Sequence, residues 1–338
     1  RILTIGYAEY EVFKGFKLKA NIGLDLSHTS QSNYAPSYTE PGLDLNGVAS
    51  IGNRTLYTWQ SEFTANYNTV VNHLHAIDIL AGYTTQRTDR KGSSASSYDF
   101  ANDETGYNNL ASGAQLYWPT SERYTSTLKS VLGRINYSYN NRYNISATLR
   151  ADGSSRFSDG HKWGYFPSVG ISWNINNEPY IHLGKNISEF KLRLSTGVVG
   201  NQEIGDYQYV ANIVPQTYYI GGETVTAYVI DNLSNNDLKW ETTTSYNAGF
   251  NLGLFNDRLN FTFDVYYKKT SDLLLNVPVE TVTGFSSALR NVGSVTNKGI
   301  EFEANYAIVN QKNLKWRVNV NIAHNINKVA SLGSADYF

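Results

Sequence analysis

Three short stretches hold residues whose types and spacing could do chemistry. His73 and His75 stand two apart, so on a strand their rings would share one face, a spacing from which two metal ligands can come. Glu301 and Glu303 repeat that spacing with carboxylates, a pair that could divide general acid and base work. "DGSSRFSDG", residues 152–160, has the glycines and hydroxyls of a phosphate-cradling loop. Each also has a plainer reading. The histidines flank a tight turn with no third ligand nearby. The glutamates lie on the side of their segment that carries every other polar residue. No helix follows 152–160 to aim a positive dipole end at a phosphate, so a surface loop is expected there. Nucleotide-binding, zinc-protease, nucleophile-elbow and calcium-loop motifs are all missing, and no loop clusters a nucleophile with a base. The expectation is no catalytic residue, no metal and no cofactor.

The elements that must position these residues are read from hydropathy. The chain has 338 residues, 28 Lys and Arg against 29 Asp and Glu, no Cys and no Met, and is rich in Tyr with 26. A charge balance near zero gives no footprint for nucleic acid. The absence of Cys removes disulfides, thiolate nucleophiles and Cys-type zinc sites together. No window reaches the roughly 18 apolar residues of a membrane helix, in line with a mean hydropathy of −0.39.

Period-two alternation recurs instead. In 16–28, Phe16, Leu18, Ala20, Ile22, Leu24 and Leu26 oppose Lys17, Lys19, Asn21, Asp25 and Ser27. In 57–67, Tyr57, Trp59, Phe63 and Tyr67 oppose Gln60, Glu62 and Asn66. The pattern continues through 131–151, 168–175, 246–267 and 300–322, giving about twelve strands, many near the 9 to 11 residues that cross a bilayer when tilted. The links alternate. Short ones are expected at Lys14-Gly15, 69–72, 140–142, Asn256-Asp257 and 310–313, and long polar ones at 29–54, 88–122, 152–163, 201–238 and 274–296. Aromatic residues gather at both ends of the strands, with Tyr67, Tyr139, Tyr143, Phe255 and Tyr306 by the short turns and Tyr57, Trp163, Tyr165 and Tyr267 toward the long loops. A sandwich needs crossing connections. Strictly alternating short and long links with two aromatic girdles predict an all-β, transmembrane, antiparallel up-and-down barrel with short periplasmic turns and long extracellular loops. One stretch departs from the pattern: 176–190 spaces Ile181, Leu183, Ile187 and Phe190 helically, and a short interfacial helix is expected.

On this scaffold Glu62, Arg134, Arg150, Asp152, Glu301, Glu303 and Arg317 are expected to face a hydrated lumen, while the apolar faces contact outer-membrane lipid. The loop aromatics Tyr38, Trp118, Phe157 and Tyr219 are candidates for stacking on a substrate.

The stretches "LRADGSSRFSDGHKWGYFPSVGISWNI", "FKLRLSTGVVGNQEIGDYQYV", "DLKWETTTSYNAGFNLGLFNDRLNFTFDVYYKKTSDLLL" and "NVGSVTNKGIEFEANYAIV" together resemble the barrel of SusC/RagA-type TonB-dependent outer-membrane transporters of Bacteroidetes, over roughly residues 1–330. The resemblance implies a barrel of about 22 strands behind a plug. Residues 1–338 are then expected to be a middle portion of that barrel, with the plug and remaining strands outside it, and not to insert as a stable barrel alone. It further implies import of a large nutrient, a glycan or oligosaccharide first and an oligopeptide next, with a SusD-like surface lipoprotein as lid and TonB acting through the plug. A passive porin-like barrel, or a structural or adhesive one, is the alternative. Residues 329–338, ending in Phe338, lack alternation and are expected to leave the sheet.

Overall fold

The computed structural model describes residues 1–333. Its strands are β1 (Ile2–Phe13), β2 (Phe16–Ala35), β3 (Val48–Val71), β4 (His75–Phe100), β5 (Gly113–Leu116), β6 (Thr120–Tyr139), β7 (Tyr143–Ser154), β8 (Trp163–Asn174), β9 (Ile187–Asn201), β10 (Ile213–Ile220), β11 (Glu223–Ile230), β12 (Glu241–Leu254), β13 (Leu259–Ser271), β14 (Leu274–Pro278), β15 (Ser287–Asn291), β16 (Ser294–Asn310) and β17 (Lys315–Ser331). One sheet runs β1-β2-β3-β4-β6-β7-β8-β9-β12-β13-β16-β17, with β5 paired to β4; β10-β11 and β14-β15 form separate hairpins. Each strand of the main path neighbours the next main-path strand in sequence, the up-and-down order expected from the alternating links.

The register explains the alternation. Leu192, Phe250, Phe263, Phe302 and Ile322 form one rung across β9, β12, β13, β16 and β17; the adjacent rung is Arg193, Gly249, Asp264, Glu301 and Ala323. Apolar and polar rungs therefore face opposite sides. The apolar side is open, with Ile145, Ile171, Leu194, Val265 and Ile300 each exposed. Exposing one such side chain to water forgoes about 1.5–3 kcal/mol, so a continuous face of them suits contact with hydrocarbon.

The chain falls into two compact units, residues 1–8, 20–62 and 84–128 in the first and 9–19, 63–83 and everything from 129 in the second. Among the described residues fully buried side chains are few and, Ser130 in the middle of β6 apart, sit toward the long-link ends of strands or in the links. In the first unit they include Ala49, Ser97 and Phe100; in the second, Phe157, Ser154 and Leu238. A barrel wall has no core of its own, so packing concentrates where the links fold over themselves.

Several expectations are corrected. Much of 29–54 and 88–122 is strand, because β2, β3, β4 and β6 have 20, 24, 26 and 20 residues. At about 3.3 Å per residue β4 is about 85 Å long, far more than a hydrocarbon core of about 30 Å requires. Cross-strand hydrogen bonds do not need lipid, and Thr, Ser and Tyr continue the pairing beyond it. The 201–238 and 274–296 links hold the hairpins β10-β11 and β14-β15. The short link expected at 69–72 lies at 72–74. Residues 176–190 hold no α-helix: a three-residue turn of 3-10 helix, Ile175–Asn177, stops before Glu178-Pro179, and β9 begins at Ile187. A residue preceding proline is pushed away from helical geometry. β17 runs on to Ser331, while Phe338 lies outside the described residues.

Candidate functional site

Within the second unit the polar face of the sheet carries a basin of about 550 Å³. Asp78, Asn136, Ser146, Ser172, Arg193 and Asn247 line it, from β4, β6, β7, β8, β9 and β12. Period two delivers each side chain to this face. Asn66 and Asn136 donate from their Nδ2 atoms to the two Asp78 carboxylate oxygens at 3.0 and 3.1 Å, and Ser146 Oγ donates to Asn136 Oδ1 at 2.7 Å. Arg134 lies 3.9 Å from Asp78. Arg193 donates to Asp264 Oδ2 at 2.8 Å, across β12, over a gap left by Gly249. A Cβ on Gly249 would lie 2.2 Å from Asp264 Oδ1, so only glycine leaves room for the pair. Asp264 also stands directly opposite Glu301. Like charges opposed across a ladder repel, and the Arg193 guanidinium offsets one of them.

The expected lumen-facing residues sit as follows. Arg150 donates to Asp152 at 2.8 Å and to Ser130 Oγ at 2.9 Å, and Asp152 is only 8 % exposed. Glu303 accepts from Asn305 at 2.7 Å, and Arg317 stands opposite Ala307 on the polar face. In the first unit Glu62 accepts from Asn21 at 3.4 Å. These residues are distributed along the polar face and do not converge on one point. Asp78, Arg193 and Asp264 were not singled out by sequence reasoning; the signal available was a charge at polar parity inside runs such as "FTFDVYY". His73 lies in the turn with φ 58°, and His75 opens β4 with Nδ1 2.8 Å from Tyr137 Oη, so the two do not share a strand face.

Two packed knots brace the long links. In the first unit Asp103 accepts from Tyr34 Oη at 2.6 Å, Ser37 N at 3.0 Å and Ser37 Oγ at 2.9 Å. Those donors hold the Asp103 carboxyl below its ordinary range, the Tyr34 hydroxyl most of all. Burial first, then the Asp103 bond, pushes the Tyr34 phenol up to about 12. In the second unit Phe157 is 0 % exposed, with its ring centroid 5.4 Å from that of Trp240. Trp240 Nε1 donates to Lys162 O at 2.9 Å, and Arg156 donates to Asp206 at 3.0 Å. Phe157 is thus withdrawn from any substrate, which corrects its place among the candidate contacts. Tyr38, Trp118 and Tyr219 are 75 %, 81 % and 75 % exposed.

At the short-turn ends aromatic rings make a belt: Phe13 lies 5.0 Å from Phe16 and 6.1 Å from Tyr67, and Tyr143 lies 6.5 Å from Tyr139 and 6.2 Å from Trp173. Glu178, nearly buried, accepts from Tyr143 Oη at 2.5 Å and Trp173 Nε1 at 2.9 Å. Two rings of the belt are anchored by one carboxylate.

Residues 4–335 match the profile of the family described as TonB dependent receptor-like, beta-barrel. The chain belongs to this TonB-dependent receptor barrel family. TonB-dependent receptor P3 of Formosa agariphila is 33 % identical over 98 % of the chain and 33 % of its own length. The TonB-dependent receptor SusC of Bacteroides thetaiotaomicron is 32 % identical over 97 % of the chain and 32 % of its own length. A solved structure of the RagAB peptide transporter superposes with a TM-score of 0.88 at 28 % identity, covering 98 % of the chain and 36 % of that protein. The chain spans about a third of the length of the curated relatives it matches. TonB-dependent receptor barrels are outer-membrane transporters and receptors, not enzymes, so the apolar face is the lipid face and the long links belong to the outer surface. The resemblance to SusC/RagA-type transporters expected from the sequence is therefore met, in sequence by SusC and in structure by RagAB.

Proposed function

We propose that this chain forms the wall of an importer that carries a large nutrient, an oligosaccharide or glycan before an oligopeptide, across the outer membrane. The observation that carries this reading is the polar face of the second unit, where Asp78, Asn136, Ser146 and Arg193 hold a hydrogen-bonded basin opposite a continuous lipid face. Such a surface keeps water and polar solute in register with the wall. Glu62, Arg134, Arg150, Asp152, Glu301, Glu303 and Arg317 are the proposed lumen lining. Tyr38, Trp118 and Tyr219 are the proposed stacking contacts, since flat exposed rings suit the apolar faces of sugars. A SusD-like lipoprotein closing over the long links and TonB pulling through a plug complete the proposed machine, as the likeness to SusC and to the RagAB transporter suggests. The peptide reading draws support from RagAB, named a peptide transporter.

The test is growth of a strain lacking the full-length gene on defined glycans and on defined peptides as limiting nutrient, alongside a strain lacking TonB function. Loss of growth on one class in both strains supports energised import. Normal growth of the gene deletion on every substrate, or uptake indifferent to TonB, supports the passive barrel instead.

A further inference from the structure

We propose that the lipid face of the second unit holds a site for the phosphorylated headgroup of an outer-leaflet lipid, built by Lys269, Lys298 and Lys328 around Thr296 and continued into the membrane by an apolar groove over Ala248. The register places the parts. Thr296 stands directly between Lys269 of β13 and Lys328 of β17, and Lys298, two residues further along β16, lies between Tyr267 and Ile326. Directly opposed side chains have Cβ atoms about 4.5–5.5 Å apart and diagonal ones about 7–8 Å, within reach for three long side chains to meet on one anion. All three lysines are exposed.

Their isolation along the strands from β7 to β17 makes the cluster informative; elsewhere in the second unit the same face carries Lys129 on β6. Across the lipid-facing positions of β7, β8, β9, β12, β13, β16 and β17 the registers give aromatic, aliphatic, small or hydroxyl residues and one histidine, His324; the only Lys, Arg, Asp or Glu among them are these three lysines. Neighbouring Lys268 points to the other face, its Nζ 5.1 Å from the Tyr266 ring centroid. Among the described residues no carboxylate lies within ion-pair distance of Lys269, Lys298 or Lys328, and nearby Asp272 is taken by Lys239 at 3.2 Å. Three unpaired charges of one sign on a lipid face are costly at the midplane and cheap near the headgroups. The cluster lies at the long-link ends of its strands, three residues before the end of β17 and two before the end of β13, which is headgroup depth on the outer side.

Below the lysines the same face opens into a groove of about 800 Å³. Leu194, Tyr246, Ala248, Tyr267 and Ile300 line it, with Lys298 at its margin. Ala248 makes the hollow, a methyl group flanked across the ladder by Leu194 and Val265. A cationic cluster directly above an apolar trough matches a molecule with an anionic head and hydrocarbon tails. A protein segment would need acidic residues and a buried apolar stripe in the same place, and a free anion would leave the groove unused.

The experiment uses the full-length transporter reconstituted in nanodiscs, with lipid A and dephosphorylated lipid A as probes, read by native mass spectrometry. Each lysine near a charged headgroup contributes enough that the triple variant K269Q/K298Q/K328Q should bind lipid A roughly a hundredfold more weakly. The triple Lys→Arg variant should bind as the wild type does, and dephosphorylated lipid A should not distinguish wild type from the Gln variant. Heat-modifiable migration checks folding; if the Gln triple fails it, Lys298→Gln alone decides, with roughly a fivefold loss expected. Equal binding of lipid A by wild type and the Gln variant, equal binding of both lipids by the wild type, full retention of inorganic phosphate in place of lipid, or a stoichiometric bound protein would each overturn the proposal. Nutrient import need not change in any of these outcomes, so failure here leaves the proposed function standing.

Discussion

Phe157 anchors the folded link after β7, its ring fully buried against Trp240. Replacing it with Ala should leave a cavity that costs the local fold about 3–5 kcal/mol. Hydrogen exchange should then quicken in 201–240 while heat-modifiable migration of the barrel is retained; unchanged exchange in that segment would count against the anchor. The Asp103 knot answers to pH instead. Because donors hold the folded carboxyl below its ordinary value near 3.9, its contribution is complete above that value and fades as pH falls through the lower folded one. The Tyr34 phenol works in the opposite sense: raised to about 12, it keeps the knot intact below the ordinary tyrosine value near 10 and releases it as pH climbs through its own. The Ser37 amide, which donates to Asp103, reports both edges. Its protection, corrected for intrinsic exchange, should hold from about pH 5 to 9 and drop at either extreme; equal protection at pH 3 and pH 7 would be the contrary result.

Among the elements, β12 and β13 are joined as much by what is missing as by their ladder. Gly249→Ala pushes a methyl group to 2.2 Å from Asp264 Oδ1 and 2.5 Å from Phe263 O, so the Arg193–Asp264 pair must open. We expect a lower midpoint in heat-modifiability, worth about 1–3 kcal/mol. Gly170→Ala, whose nearest neighbour is 3.7 Å away, is the control that should change little. If both variants melt together, steric room at Gly249 is not what matters. The strands themselves were legible in the sequence, because lipid on one side and water on the other impose period two along Tyr143–Ser154, Trp163–Asn174, Glu241–Leu254 and Leu259–Ser271. Their upper ends were not. Once both faces of β4 meet water beyond the membrane, residues 88–100 lose the contrast that marks a strand, although pairing continues. The partner of Phe157 was equally hidden, since Trp240 lies at the far end of a long link and no local pattern joins them. The polar basin was readable as a face but not as a set: parity puts Asp78 and Asn136 on one side, and only the register shows that they bond.

For the molecule as a whole, the two ends of the sheet should differ in access from outside the cell. The chain has no Cys, so single cysteines can report position without background from this region. Tyr219→Cys and Val282→Cys, at sites 75 % and 93 % exposed in the long links, should react with an impermeant maleimide on intact cells. Lys312→Cys, in the short link between β16 and β17, should react only after the outer membrane is opened. Labelling of Lys312→Cys on intact cells would reverse the assigned orientation. The ladder register also constrains how such a sequence can change over generations. Deleting one residue from β13 would exchange its faces, turning Asp264 and Lys268 toward hydrocarbon and Phe263 and Val265 toward water, whereas deleting two would shift the rungs and keep the sides. Descendants of this gene are therefore free to lengthen or shorten the 201–240 link by any count, while surviving changes in the wall should come in even numbers.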